Sequence, residues 1–154
     1  NIDPKEIEDA LIAHPSVQLV AAVGRPDLAK GELPVAYVQP RDGVVVEPAE
    51  LLAYCREHVH ERAAVPVEVI VIDEMPLTPV GKIAKPALRA DAVTRVVGAI
   101  ARSHDPSATV RLDRSGPRLG VDVTVTLPGV EEELERAVAG FEFSTRVLLA
   151  EAAR

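Results

Sequence analysis

Apolar residues recur along this chain with two different periods, and each change of period marks an element. In "NIDPKEIEDALIAHP", Ile7, Ala10 and Leu11 share one helical face. Asp3 fits as the N-cap, Pro4 belongs in the first turn, Glu6 completes an Asp-x-x-Glu variant of the capping box, and Pro15 ends the helix. "SVQLVAAV" then reads as a mostly buried strand, "GRPDLAKGE" as a loop, and "LPVAYVQP" as a second strand. "RDG" is a turn. "EPAELLAYCREHVHER" is a second amphipathic helix, with Leu51, Leu52, Cys55 and Val59 on one face, and "VEVIVID" a third strand rich in β-branched residues. A turn containing Lys82 follows. Pro86 then opens a third helix with Leu88, Ala92, Val96, Ala99 and Ile100 inward. Beyond residue 101 the pattern shifts: "SHDPS" is a linker signal, and "ATVRLDRSGPRLGVDVTVTLPG" an alternating hairpin. That hairpin sets Leu119, Val121, Val123, Val125 and Leu127 against Arg118, Asp122, Thr124 and Thr126. "VEEELERAVAG" is a helix with Val130, Leu134 and Val138 in register, and "FEFSTRVLLA" is a last strand or a short helix, with Phe141, Phe143 and Val147 favouring the strand. The expected fold is α+β. A small sheet of about three strands packs with about three helices over residues 1–101, and a ββαβ unit is appended over 102–154.

Composition narrows the function classes. Hydrophobic residues make up 47% but aromatics only 3%, so Val, Ala, Leu and Ile must fill the core. A net charge of -7 argues against nucleic acid or an anionic membrane as the main partner. No apolar run approaches the roughly 18 residues of a membrane span. Cys55 is the only cysteine, which excludes an intrachain disulfide and fits a reducing, cytoplasmic setting. The opening "NIDPKEIE" has no initiator methionine and begins at the edge of a helix, as expected of the cut end of something longer.

The chemistry concentrates in "MPLTPVGKIAKPALR", whose turn places Lys82, one of the chain's 4 lysines, beside Pro76, Pro79 and Gly81. A phosphate-binding P-loop fails here: it needs a glycine where Pro76 stands and a Ser or Thr where Ile83 stands. What remains is one ammonium on a stiff support, with Pro76 and Pro79 restricting the backbone and Gly81 allowing a sharp turn. Two readings follow, a solvated surface lysine or a cation presented to anionic oxygen. Other candidates carry less. His58 and His60, two apart on a helix, do not share a face, and no metal site is expected. Cys55 lies on an apolar stripe as a small core residue. His14, before Pro15, fits a helix C-terminal cap, and the aromatics are too scattered for base stacking.

"PLTPVGKI" resembles the C-terminal motif of the AMP-forming acyl-CoA synthetases, Pro-x-Thr-x-x-Gly-Lys-[Ile/Val], met by Pro76, Thr78, Gly81, Lys82 and Ile83. "NIDPKEIEDALIAHPSV" and "AAVGRPDLAKGELPVAYV" are similar to two further segments of that family, in order and spacing, so the resemblance covers roughly residues 2–90.

The resemblance implies a small C-terminal lid domain whose partner is a large N-terminal adenylation domain of the same polypeptide. Carboxylic acid and ATP, with Mg2+, would form an acyl-adenylate and pyrophosphate, and CoA would then yield the thioester and AMP. Lys82 would be the adenylation lysine, and the domain would rotate between the two steps to form part of the CoA site. Arg25, Lys30 and Gly31, in the "GRPDLAKGE" segment, are candidate CoA contacts, although two solvated loop cations explain the basic pair as well. Glu8 and Glu32 also fit family positions, and capping or surface ion pairs account for them. The chain alone is expected to be inactive. The alternative is a stand-alone non-catalytic module that docks a partner, or forms a homodimer, through its tail sheet.

Overall fold

The computed structural model describes residues 3–151. Ile2, which opens the first family-like segment, and the last three residues of the 102–154 segment lie outside the described residues. The described chain forms two compact units, one comprising the residues through Arg25 together with Glu32–Arg89, the other Pro26–Gly31 with the residues from Ala90 onward. Each contains a three-stranded sheet, and the α+β class expected from the sequence holds.

The first unit begins with helix α1, Pro4–Ile12, capped as its sequence predicts: the Asp3 carboxylate accepts from the Lys5 N–H at 2.9 Å. Glu6 departs from the capping box, for its carboxylate accepts from the His60 N–H at 2.8 Å. That bond ties the helix start to a segment distant in sequence. Ile7 and Leu11 are fully buried. His14 closes the helix: its N–H donates to the Leu11 carbonyl, and its Nδ1 accepts from the Ser16 N–H at 3.1 Å.

Strands β1 (Val17–Asp27), β2 (Gly31–Pro40) and β3 (Glu68–Val71) form the sheet with β2 in the middle. β2 and β3 run parallel, with Val35 opposite Glu68 and Val38 opposite Val71. A parallel pair needs a crossover, and helix α2 (Pro48–His58) with the 3-10 turn Arg62–Ala64 supplies it. Both faces of β2 are buried, which explains its continuous apolar run. Ala36 and Val38 pack with Ile7, Leu11, Leu51 and Cys55, whereas Val35 and Tyr37 pack with Ala21, Val23, Ile70, Met75 and Leu88. The "GRPDLAKGE" loop is shorter than expected, because β1 continues to Asp27 and β2 starts at Gly31. Pro26 falls in β1, an edge strand of its sheet, the position in which proline is tolerated.

In the second unit the sheet order is β4-β5-β6, with β4 Thr109–Asp113, β5 Gly120–Val125 and β6 Ser144–Leu149. β4 and β5 are antiparallel, and β5 and β6 are parallel across helix α4, Glu131–Val138. Val121, Val123 and Val125 face Leu134 and Val138, as the alternation predicts. Phe141 and Phe143 are not in the last strand; they stack at 5.0 Å in the turn before it. Helix α3, Lys85–His104, buries Val93, Val97 and Ala101 in this same cluster, while Ala99 is exposed. The inward stripe therefore differs from the expected one, since the helix meets a second sheet whose direction the helical pattern alone does not encode.

"SHDPS" is no free linker. Its first two residues finish α3, and Asp105, 1% exposed, accepts from the N–H groups of Ser107, Thr126 and Leu127 and from the Thr126 hydroxyl. These donors, the Thr126 N–H foremost, hold the carboxyl below its ordinary 3.8, against an opposing desolvation. A carboxyl with a lowered folded-state value stabilises above 3.8 and loses that contribution as pH falls through the folded value. Asp105→Asn is therefore expected to lower the melting temperature of the second unit at neutral pH and to flatten its further loss in acid, as read by thermal scans from pH 7 to 2.

Candidate functional site

The Lys82 turn is a miniature hairpin made of local backbone bonds. Leu77 and Ile83 form an antiparallel bridge, the Ala84 N–H donates to the Pro76 carbonyl at 2.8 Å, and the Thr78 N–H donates to the Lys82 carbonyl at 2.6 Å. At the tip the Gly81 N–H donates to the Thr78 carbonyl at 2.9 Å, and Gly81 has φ +82°. A turn followed by a left-handed glycine is a favoured way to close a three-residue loop, here Pro79–Gly81. The Thr78 side chain adds a bond of its own, its Oγ1 accepting from the Lys82 N–H at 3.1 Å. Four of the five motif residues thus have a visible mechanical part. Pro76 and Thr78 receive bonds, Gly81 supplies the backbone conformation, and Ile83 packs into the apolar cluster below.

That cluster anchors both flanks of the turn. Met75 is 2% exposed and Leu88 3%, and both lie among Ala21, Val23, Val35, Tyr37 and Ile70. Above this anchorage Lys82 itself is exposed, as are Leu77, Pro79 and Val80. Among the described residues, no hydrogen bond or ion pair engages the Lys82 ammonium; the lysine's recorded bonds are those of its backbone N–H and carbonyl. The backbone is fixed and the cation is solvent-facing.

Two polar contacts that the sequence reading did not identify border the turn. The Gln39 side-chain carbonyl, at the end of β2, accepts from the Met75 N–H at 2.7 Å. Lys85, first residue of α3, donates through Nζ to Glu8 of α1 at 3.1 Å, in a pair whose side chains are 29% and 25% exposed. Neither partner is near in sequence, so no spacing signal marks them.

The other candidates stand on the β1–β2 hairpin. Arg25 is committed to an ion pair with Glu68 at 3.0 Å. Lys30 is exposed at the hairpin tip, where Asp27 accepts from the N–H groups of Ala29 and Lys30, and Gly31 completes the turn at φ +78°. Among the described residues, no ion pair engages the Lys30 ammonium, whereas Arg25 has one. His58 stacks on Tyr54 at 3.9 Å, with its Nδ1 2.8 Å from the Tyr54 carbonyl oxygen. Among the described residues no three His, Cys, Asp or Glu side chains converge as a metal-holding group. Cys55 is fully buried, and burial pushes its thiol up to about 11.

Two outcomes follow from this geometry. Gly81→Ala is expected to cost about 1 kcal/mol, because a Cβ disfavours the left-handed conformation, and to speed amide exchange at Gly81 and Lys82. Thermal unfolding and hydrogen exchange measure both effects. The Cys55 thiol is expected to resist a thiol-reactive dye in the native protein and to react fully on denaturation.

Comparison with known proteins agrees with this layout. Residues 6–82 match the AMP-binding enzyme C-terminal domain family. A marinolic acid–CoA ligase from Pseudoalteromonas sp. is 42% identical over 113 residues, 73% of this chain and 17% of the relative. An acetyl-coenzyme A synthetase from Deinococcus radiodurans is 41% identical over 71% of this chain, again 17% of the relative. Among solved structures, a Mycobacterium tuberculosis fatty acyl CoA synthetase superposes with a TM-score of 0.53 at 36% identity, covering 59% of this chain and 18% of that one. An amide bond synthetase from Marinactinospora thermotolerans gives the same score and identity over 58% of this chain and 18% of its own. The chain thus spans less than a fifth of the length of these relatives. With the family match reaching through Lys82, the chain belongs to the AMP-binding enzyme C-terminal domain family.

Proposed function

We propose that this chain is the C-terminal lid of an AMP-forming acid–thiol ligase and that Lys82 is its adenylation lysine. The observation that carries the reading is an exposed ammonium on a backbone fixed by Thr78, Gly81 and the buried Met75 and Leu88. In the first half-reaction a carboxylate oxygen of the acid attacks the α-phosphorus of ATP. The bond to the bridging oxygen breaks, and pyrophosphate leaves with the electron pair. Negative charge grows on the phosphoryl and bridging oxygens, and a held ammonium stabilises it without reorganising at the moment of reaction. In the second half-reaction the CoA sulfur attacks the acyl carbon, loses its proton, and AMP departs with the electrons of the carbon–oxygen bond. The lid rotates between the steps and presents a different face for each.

The names of several relatives, an acetyl-coenzyme A synthetase and a fatty acyl CoA synthetase among them, support CoA as the acceptor. On this chain Lys30 and the adjacent Gly31 form the better candidate contact for a CoA phosphate, because Arg25 would first have to leave Glu68. ATP, the acid and Mg2+ are assigned to the large domain of the full-length enzyme. Among the described residues no group of three or more His, Cys, Asp or Glu side chains could hold Mg2+. Residues 1–101 act as the lid in this reading, and 102–154 as its appendage.

In the full-length enzyme, Lys82→Ala is expected to slow adenylation by about 10²–10³-fold, the usual effect of removing one preorganised donor. Thioester formation from supplied acyl-adenylate should be largely spared. Pyrophosphate exchange reads the first step and thioester release the second. Equal loss in both would defeat the assignment. The chain alone should show neither activity.

A further inference from the structure

Lys82 has no side-chain partner among the described residues, so the position of its ammonium depends on how firmly the turn is seated. Apolar burial of Met75 and Leu88 holds the turn down, yet such contacts are not directional and allow it to slide. Direction comes from two polar contacts at opposite ends of the segment. At the entry, Gln39 grips the Met75 N–H at 2.7 Å from the end of β2. At the exit, Glu8 of α1 holds the Lys85 ammonium at 3.1 Å.

The exit contact is unusual on electrostatic grounds. Lys85 is the first residue of α3, where the helix dipole presents its positive end and a cation is disfavoured. A lysine there gains nothing from its own helix. Its favourable interaction is with Glu8, 77 residues earlier in the chain and three-quarters buried. The bond therefore joins α1 to the residue where the turn becomes helix. Between Met75 and Lys85 the hydrogen bonds described above are internal to the turn, so these two contacts set its orientation against the sheet and α1.

We infer that Glu8 and Gln39 are positioning residues for Lys82: they hold the two ends of its turn and so aim the ammonium in adenylation. The inference rests on Lys82 being the adenylation lysine. A misplacement of about 1 Å remote from the chemistry can cost on the order of a hundredfold in rate. In the full-length enzyme, Glu8→Ala and Gln39→Leu are each expected to slow adenylation by about ten- to a hundredfold through kcat, with the KM values for ATP and acid unchanged. Thioester formation from supplied acyl-adenylate should stay within about twofold of wild type. Exchanging the charges supplies the control for general misfolding: Glu8→Lys alone should lose adenylation, and combining it with Lys85→Glu should recover most of it. Normal adenylation in both single variants, equal loss in the two half-reactions, or no recovery on charge exchange would each overturn the inference. Its failure is separable from that of the functional reading. If Lys82→Ala cripples adenylation while Glu8→Ala and Gln39→Leu do not, only the positioning roles fall; if Lys82→Ala leaves adenylation intact, the reading itself falls.

Discussion

A solvent-facing cation keeps a defined position only if the backbone on both sides of it is held, and in this chain the burial of Met75 and Leu88 meets that condition. The two side chains enter one cluster from opposite flanks of the turn, beside Val35 and Tyr37 of the central strand. Burying side chains of this size is worth about 1.5–3 kcal/mol each, more than the turn's short hydrogen bonds contribute singly. The cluster lies on the Val35–Tyr37 face of β2, where the parallel β2–β3 register sets Ile70 beside Tyr37, while the α2 crossover covers the opposite face. An exposed lysine thus depends on a parallel pairing several elements away.

The second unit follows the same rules with different partners. Its parallel β5–β6 pair again requires a helical crossover, α4, and its apolar strand face is again closed by helices. Asp105 marks the corner at which the backbone changes direction. A buried carboxylate is costly unless its lone pairs are filled, and here the donors are backbone N–H groups that a corner would otherwise leave unbonded. One side chain resolves two problems of satisfaction.

Much of this was legible in the sequence because it is local. The α1 cap at Asp3, the alternating valines of β5 and the Pro-Thr-Gly-Lys turn all depend on neighbours within a few residues. What escaped is non-local. Glu6 satisfies the capping-box spacing yet bonds to His60, because a tertiary donor outcompetes the local one. Pro26 reads as a loop signal unless β1 is known to be an edge strand. Val93, Val97 and Ala101 replace part of the expected stripe of α3, since several faces of an alanine- and valine-rich helix are apolar enough to be buried. Gln39 carries no local signature, and the family position of Glu8 does not name Lys85, for both partners are set by the way α1 and β2 pack. In the candidate site, the turn that carries Lys82 was readable, and the two side-chain contacts at its ends were not.

The hairpin around Lys82 closes entirely between Pro76 and Ala84, whereas the sheet beneath it joins Val35 to Glu68. Short-range contacts require little loop closure and can form early, while pairing across a long crossover is slow. The shape of the turn is therefore defined by its own residues, while the sheet beneath it depends on partners far along the chain. The two resemble a part and its mount. Sequence variation in the sheet can alter how fast the mount is completed while leaving the shape of the mounted piece unchanged.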